Sequence, residues 1–550
     1  MIIPICGIKI IIGKVKNMFD ILIKNGNIYD GKNGPFTGDV AISGGKISAV
    51  GHIDGEAAEV IDAGGRCVTP GFIDIHRHAD MAVFRHGFGE GELMQGLTTI
   101  VNGNCGMGPA PVEEGSGLKG YLKPVLGEML PEADTGSTAG YMASLEGMNL
   151  PLNVGMLTGC GTIWAGILGY GGKHPGREDI ARFHRILEHE LSAGTLGASL
   201  GLGYAPECFL TTQELIEGLA PLKDTDIPIA FHMRQEGDGV CRSVEEVAAI
   251  GRALNAPVHI SHLKAMGRRN WNRRIPEALE IIKAAALEGV DITFDAYPYT
   301  AGSTQLMHVL PPDFIEGGTD RVIERLKDAG RRRELGERIA HGTDFDNIAG
   351  MVGWDNIVIA AVNTKANRRF EGMTLECAAK ARGEAPLECL CNILIEENCA
   401  VTMIDFITCE EDIARILNAP GASVISDSIY PSGGRPHPRL CGSFPRIIQR
   451  YVYERRDITL QRAIELMTSE PAAALRLKGK GRIAAGMDAD INIFDPKNIR
   501  ENGSYNEPEK TASGMEYVMI NGQIKLFEGK ISDEAGGKVI RRRREKDRLI

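Results

Sequence analysis

The sequence predicts an α/β chain: a (β/α)8 barrel of the TIM type, a small β-sandwich domain built from both chain ends, and an inserted lid segment. Three observations predict it. Apolar strand-like runs alternate with helical runs through the middle of the chain, which implies parallel pairing. Short alternating strands punctuated by glycine turns occur at the two ends. The polar, histidine-bearing ends of the middle strands all fall on their C-terminal side, where a barrel of this kind builds its site.

The elements follow in chain order. Residues 1–17 (MIIPICGIKIIIGKVKN) carry a short apolar run with no basic stretch before it and no clear cleavage site, and the regular pattern starts at Met18. They read as an upstream extension rather than a signal peptide. Residues 18–69, with ILIKNGNIYD and GDVAISGGKISAVG, join residues 480–550, with DINIFDP and YVMINGQIKLFEGK, in the small β-domain. Residues 70–479 form the barrel. Its strands are GFIDIH, LTTIVN, LNVGMLTG, TLGASLGLGY, IPIAFH, APVHIS, VDITFDA and GASVISD, with helical patterns such as 243–254 and 275–289 between them. Between about 311 and 400 the rhythm changes to the charged helical run RVIERLKDAGRRRELGERIAHG and then NIVIAAVNT, an insertion expected to cover the site.

Composition narrows the function. The 550 residues are 43% hydrophobic and 24% charged, and the formal net charge of −11 argues against nucleic acid as the main partner. The basic run at 541–546 reads as a solvated tail. No stretch is long and apolar enough to cross a membrane. The twelve cysteines are scattered, and a chain of this size needs no disulfide staples, so a reducing cytoplasm fits best. Nothing in the sequence fixes an oligomeric state.

The residues able to do chemistry cluster at strand ends. His76 and His78 stand two apart, so strand alternation puts both imidazoles on one face. His232 ends IPIAFH and His262 ends APVHISH, one βαβ step later. Histidines at three strand-end sites are hard to explain by packing, because buried imidazole needs partners. His259 faces the opposite way and reads as structural; His184 and His189 read as surface residues of a helix. Asp427 supplies a strand-end acid, and Asp295 could orient a ligand or a tyrosine. Cys105, in VNGNCGMGP, could be packing, reactive thiol or metal ligand.

Together these features resemble the amidohydrolase superfamily, and within it the D-aminoacylase group, the N-acyl-D-amino-acid deacylases. The resemblance is carried by PGFIDIHRH, QGLTTIVNGNCGMGPAP, FHMRQEGDGV, HISHLK, DAYPYTAGST, RPHPRLCGSFPRII and MTSEPAAALRLKGKGRIAAGMDADINIFDP, in order from Met18 onward. It implies a tight zinc held by Cys105, His232 and His262, with His76, His78 and Asp427 forming a second, weaker position that Cys105 can bridge. It also implies that Asp427 acts on the catalytic water, and that Lys264, Tyr297, Ser303 and Arg439 contact the carboxylate of a small-molecule N-acyl-D-amino acid, with Tyr204 nearby. Zinc lowers the pKa of a bound water from about 16 to about 7, Asp427 would carry the proton to the departing amine, and the charges of Lys264 and Arg439 suit a carboxylate.

The sequence departs from the group's pattern at TGCGTIW, with Cys160 and Trp164, and at LGASLGLGYAPECF; both loops are expected to touch substrate, with Cys160 a packing residue. Two rivals remain. Cyclic-amide hydrolases share the barrel but use a carboxylated lysine to bridge two metals, and no lysine stands at the corresponding strand end here. A non-catalytic scaffold on the same fold would have lost ligands, and none is lost.

Overall fold

The computed structural model describes residues 18–113, 117–431 and 433–542. The extension expected at 1–17, and all but the first two residues of the basic run, lie outside them.

Eight strands form one parallel sheet: β1 (Phe72–Asp74), β2 (Leu97–Asn102), β3 (Asn153–Gly159), β4 (Gly197–Gly201), β5 (Ile229–His232), β6 (Val258–Ile260), β7 (Ile292–Ala296) and β8 (Ala422–Val424). They pair in chain order from β1 to β8. β2, β3 and β4 are buried along their whole length, as expected for strands covered on both faces. The helices between them bury one stripe each. Phe183, Leu187 and Leu191 do so on Arg177–Ser192, and Val240, Val244, Val247 and Leu254 on Val240–Leu254. Asn255, with φ of 46°, ends the latter helix in the left-handed region that Asn tolerates.

The first strand is shorter than expected. It stops at Asp74, and a two-residue strand, Arg77–His78, resumes after His76 and pairs in parallel with Ser428–Ile429, just past β8. The Asp427 amide donates to the His76 carbonyl at 2.9 Å, so this second pairing closes the barrel. Arg77 pins the seam. Its fully buried guanidinium lies 3.0 Å from Asp74 and 2.7 Å from Glu92, and donates to Ser426, Tyr430 and the Leu440 carbonyl. Arg77→Leu leaves two buried carboxylates without their cation, which costs about 3–5 kcal/mol. The expected result is a clearly lower midpoint in thermal or urea unfolding; an unchanged midpoint would contradict this account of the seam.

The insertion is larger than the 311–400 span expected. Three antiparallel strands, Ala301–Gln305, Thr402–Phe406 and Ile357–Ala361, sit in that spatial order between β7 and β8. Helices pack on them around a separate apolar core that includes Leu306, Phe314, Leu335, Leu390 and Met403. The charged run is two helices, Thr319–Lys327 and Ala329–His341, broken at Asp328, whose side chain caps the second by accepting from the Arg331 amide.

Strands from both chain ends join in one nine-stranded sheet. Ile47 and Gly45 exchange backbone hydrogen bonds with Gly486, Met487 and Ala489, just before the strand Ile491–Phe494. The sheet therefore curls back on itself around Ile23, Val40, Ile42, Val68 and Ile491. No helix among the described residues is long and apolar enough to cross a membrane.

Candidate active site

The strand ends converge on one cavity of about 490 Å³ at the C-terminal mouth of the barrel. Cys105 follows β2 on a loop that only glycine allows. Gly103 and Gly106 have φ of 75° and 71°, and a Cβ on Gly103 would stand 2.1 Å from the Leu157 carbonyl oxygen. This close turn aims the Cys105 sulfur inward. It lies 3.2 Å from His76 Nε2 and 3.6 Å from His262 Nε2, while His232 Nδ1 lies 3.0 Å from His262 Nε2. Asp427 Oδ1 is 3.4 Å from Nε2 of both His76 and His78. Cys105, His262 and Asp427 have φ of 56°, 36° and 52°, strained values for non-glycine residues that the surrounding fold must hold in place.

Three overlapping sets, His76–His78–Cys105, Cys105–His232–His262 and His76–His262–Asp427, each keep their ligand atoms within 4.8 Å of one another. A tetrahedral zinc with nitrogen ligands at about 2.0–2.1 Å and sulfur at about 2.3 Å spaces its donors by roughly 3.4–3.6 Å. The 3.6 Å between Cys105 and His262 matches this, and the 3.0 Å between His232 and His262 and 3.2 Å between Cys105 and His76 are a few tenths of an ångström shorter, so an ion needs only a small opening of the cluster. The charges fit too. Burial opposes ionisation of the Cys105 thiol, yet His76, His232 and His262 hold it well below the ordinary thiol range. Burial opposes charge on His78, but Asp427 and Cys105 lift it to about 9. Burial likewise resists an ionised Asp427, and Arg439, His78 and His76 bring it well below the usual range. A thiolate and carboxylates thus converge on imidazoles, and positive charge must sit among them as protons or as a metal.

Around these candidate ligands the structure supplies further carboxylates. Asp295 lies 3.6 Å from His76 Nδ1 and 2.8 Å from His259 Nε2, and accepts from the His262 amide. His259 is thus held by Asp295 and Thr293, outside the ligand sets. Glu236 was not singled out in the sequence. It lies 2.8 Å from His262 Nδ1 and 2.7 Å from Lys264 Nζ, and burial notwithstanding, Lys264, His262 and His232 keep it ionised. A carboxylate on the far nitrogen of a ligand imidazole fixes its orientation and basicity. Glu236→Gln should weaken metal binding by about 10–100-fold, readable by competition with a chromophoric chelator; unchanged affinity would remove Glu236 from this role.

The expected substrate contacts divide. Lys264, Tyr297, Ser303 and Tyr204 line the cavity with the metal cluster. Arg439 does not. It is 1% exposed; Nη1 lies 2.9 Å from Asp427 and Nη2 donates to the Ser303 carbonyl, while Nε and Nη1 make no hydrogen bond among the described residues. Its place is behind the acid, because the helix Arg439–Arg446 starts beneath the Asp427 loop. Cys160 and Trp164 also miss the cavity: both are buried, and Trp164 stacks on Phe183 at 4.0 Å. The second divergent loop does line it, through Leu202, Gly203, Tyr204 and Cys208. The insertion adds His308, whose ring lies 4.5 Å from Tyr204, itself 4.4 Å from His232.

Comparison with known proteins agrees with this geometry. Residues 371–525 match the model of the amidohydrolase family. The chain is 31% identical over 529 residues to a D-aminoacylase of Alcaligenes xylosoxydans xylosoxydans, covering 95% of this chain and 98% of that protein. It is 31% identical to an N-acyl-D-glutamate deacylase of the same organism, covering 96% and 98%. A crystal structure of N-acyl-D-glutamate deacylase from Bordetella bronchiseptica, complexed with zinc and a phosphonate inhibitor, superposes with a TM-score of 0.81 at 28% identity, covering 95% of this chain and all of that one. The chain belongs to the amidohydrolase family, among its D-aminoacylases.

Proposed function

We propose that this enzyme hydrolyses the amide bond of N-acyl-D-amino acids, releasing a D-amino acid and a carboxylic acid, with a tight zinc held by Cys105, His232 and His262. The observation that carries the reading is one thiolate and two imidazoles at donor spacing, with an ionised carboxylate 3.4 Å from the neighbouring His76 and His78. His76, His78 and Asp427, with Cys105 shared, offer a second and weaker position. When bound, zinc supplies a Lewis acid for the substrate carbonyl and acidifies a coordinated water.

The chain's own groups do the rest. Asp427, kept as a carboxylate by Arg439, accepts the proton of the attacking water on a carboxylate oxygen and returns it to the departing nitrogen. Glu236 and Asp295 hold His262 and His76 in register. Lys264, Tyr297 and Ser303, which line the cavity, collect the substrate carboxylate. Cys105, shared by two of the donor sets, would offer the bridge for which cyclic-amide hydrolases use a carboxylated lysine, which disfavours that alternative. Eleven described cysteines are free, which supports a reducing, cytoplasmic setting.

The test is zinc-loaded protein against paired panels of N-acetyl-D- and N-acetyl-L-amino acids and cyclic hydantoins, following release of primary amine or ring opening. Turnover confined to D substrates supports the reading; opening of hydantoins without deacylation would sink it.

A further inference from the structure

One buried acid in the cavity has no part in the chemistry above. Asp405 lies on the inserted strand Thr402–Phe406, opposite Gly302, and is 2% exposed. Its Oδ1 has no hydrogen-bond partner among the described residues. Unlike Asp405, the other acids lining the cavity have charged or backbone partners: Glu236 is paired with Lys264 and His262 although its Oε1 makes no hydrogen bond among the described residues, Glu246, Asp344 and Asp427 are ion-paired, and Asp346 accepts two backbone amides. Gly302, Asp405 and Tyr297 all line the cavity, and the chain can pass close to Asp405 because residue 302 has no side chain. A Cβ there would stand 3.0 Å from Asp405 Oδ1 and 3.2 Å from the Tyr297 hydroxyl. The carboxyl and the phenol therefore border the same space, beside Ser303 and Lys264.

This is an anomaly if the space receives a carboxylate, because two buried carboxylates in contact cannot both stay charged. The neutral acid removes the conflict. It carries an O–H donor with no acceptor in the protein, whereas a carboxylate is acceptor only. We propose that Asp405 is a specificity residue that enters the site as a neutral carboxylic acid and donates its O–H to the carboxylate of the acyl-amino acid. The inference rests on the deacylase reading above. The surroundings agree with it: burial pushes Asp405 up to about 6, with Glu236 on the same side, against the downward pull of Lys264 and Arg439.

The test compares wild type, Asp405→Asn and Asp405→Ala, with kcat and KM measured separately from pH 5.5 to 8.5 on the best-cleaved N-acetyl-D-amino acid. If only the neutral acid binds, the wild-type KM should rise at least about tenfold between pH 6 and pH 8. Asp405→Asn keeps an N–H donor, so its KM should stay low and flat. Asp405→Ala should show a KM raised about tenfold at pH 6 and flat above it. A flat wild-type KM, or an alanine variant that binds as well as wild type at pH 6, overturns the inference while leaving the deacylase reading intact. Absence of any deacylation by the wild type overturns both. The wild-type profile stands even if a variant fails to fold.

Discussion

Asp427→Asn should keep a full complement of tight zinc and lose turnover by about a thousandfold, within the 10²–10⁴ range of general acid–base catalysis. Three features of the site argue for this split. The donors of the tight position, Cys105, His232 and His262, do not include Asp427, so its amide leaves them intact. Asparagine preserves shape and still accepts from Arg439 through its carbonyl, so the loop after β8 has no reason to move. What is lost is basicity. Burial disfavours an ionised carboxyl here, and Arg439, His78 and His76 overcome it, so the native side chain is a ready proton acceptor. An amide cannot take that proton at any accessible pH. Steady-state kinetics beside metal analysis of the same preparation checks both halves, with KM little changed. Near-native kcat would remove Asp427 from proton transfer, and loss of zinc would make it a tight ligand instead.

The candidate ligands were legible in the sequence for a physical reason. A metal site demands Cys, His or Asp, and a barrel delivers them at the ends of Val- and Ile-rich runs, so identity and position point the same way for Cys105, His232, His262 and Asp427. The residues that orient them carry no such signal. Glu236 stands four positions after His232 in a loop, where an acid is ordinary; only the fold brings it to His262. Arg77 sits between two histidines and is hidden by them, although its charge network pins the seam where the barrel closes. Arg439 has the residue type for gripping a substrate carboxylate, and nothing local to it announces that the fold also sets its guanidinium 2.9 Å from Asp427. AGSTQ, where the insertion begins, is a poor strand by propensity and is held extended by pairing with residues about a hundred positions away, so the sequence alone does not mark that start. In each case the missing information is a long-range contact, which no local pattern records.

Cys105→Ala should cost more than any other single change: zinc lost on dialysis, and turnover lower by on the order of 10⁴-fold, since a bound metal is worth several kcal/mol of barrier. The sulfur is the atom shared by two of the three donor sets, so its removal leaves His232 and His262 as a two-imidazole remnant and deprives His76 and His78 of their common partner. The loss cannot be assigned to backbone strain, because Ala and Cys pay the same penalty at φ of 56° and the flanking glycines are unchanged. Nor is it a packing loss, since one sulfur atom is removed from a wall that faces a cavity. Cys160→Ala is the control. Cys160 is fully buried at the start of the helix Cys160–Leu168, its thiol is pushed well up by burial, and it belongs to no donor set, so that variant should keep its zinc and most of its activity. Metal analysis after dialysis and steady-state kinetics on both variants read the contrast. If Cys105→Ala held zinc as wild type does, the depressed thiol would be a consequence of neighbouring imidazolium groups only, and the tight position would have to be rebuilt from His76, His262 and Asp427, the one donor set that omits the sulfur.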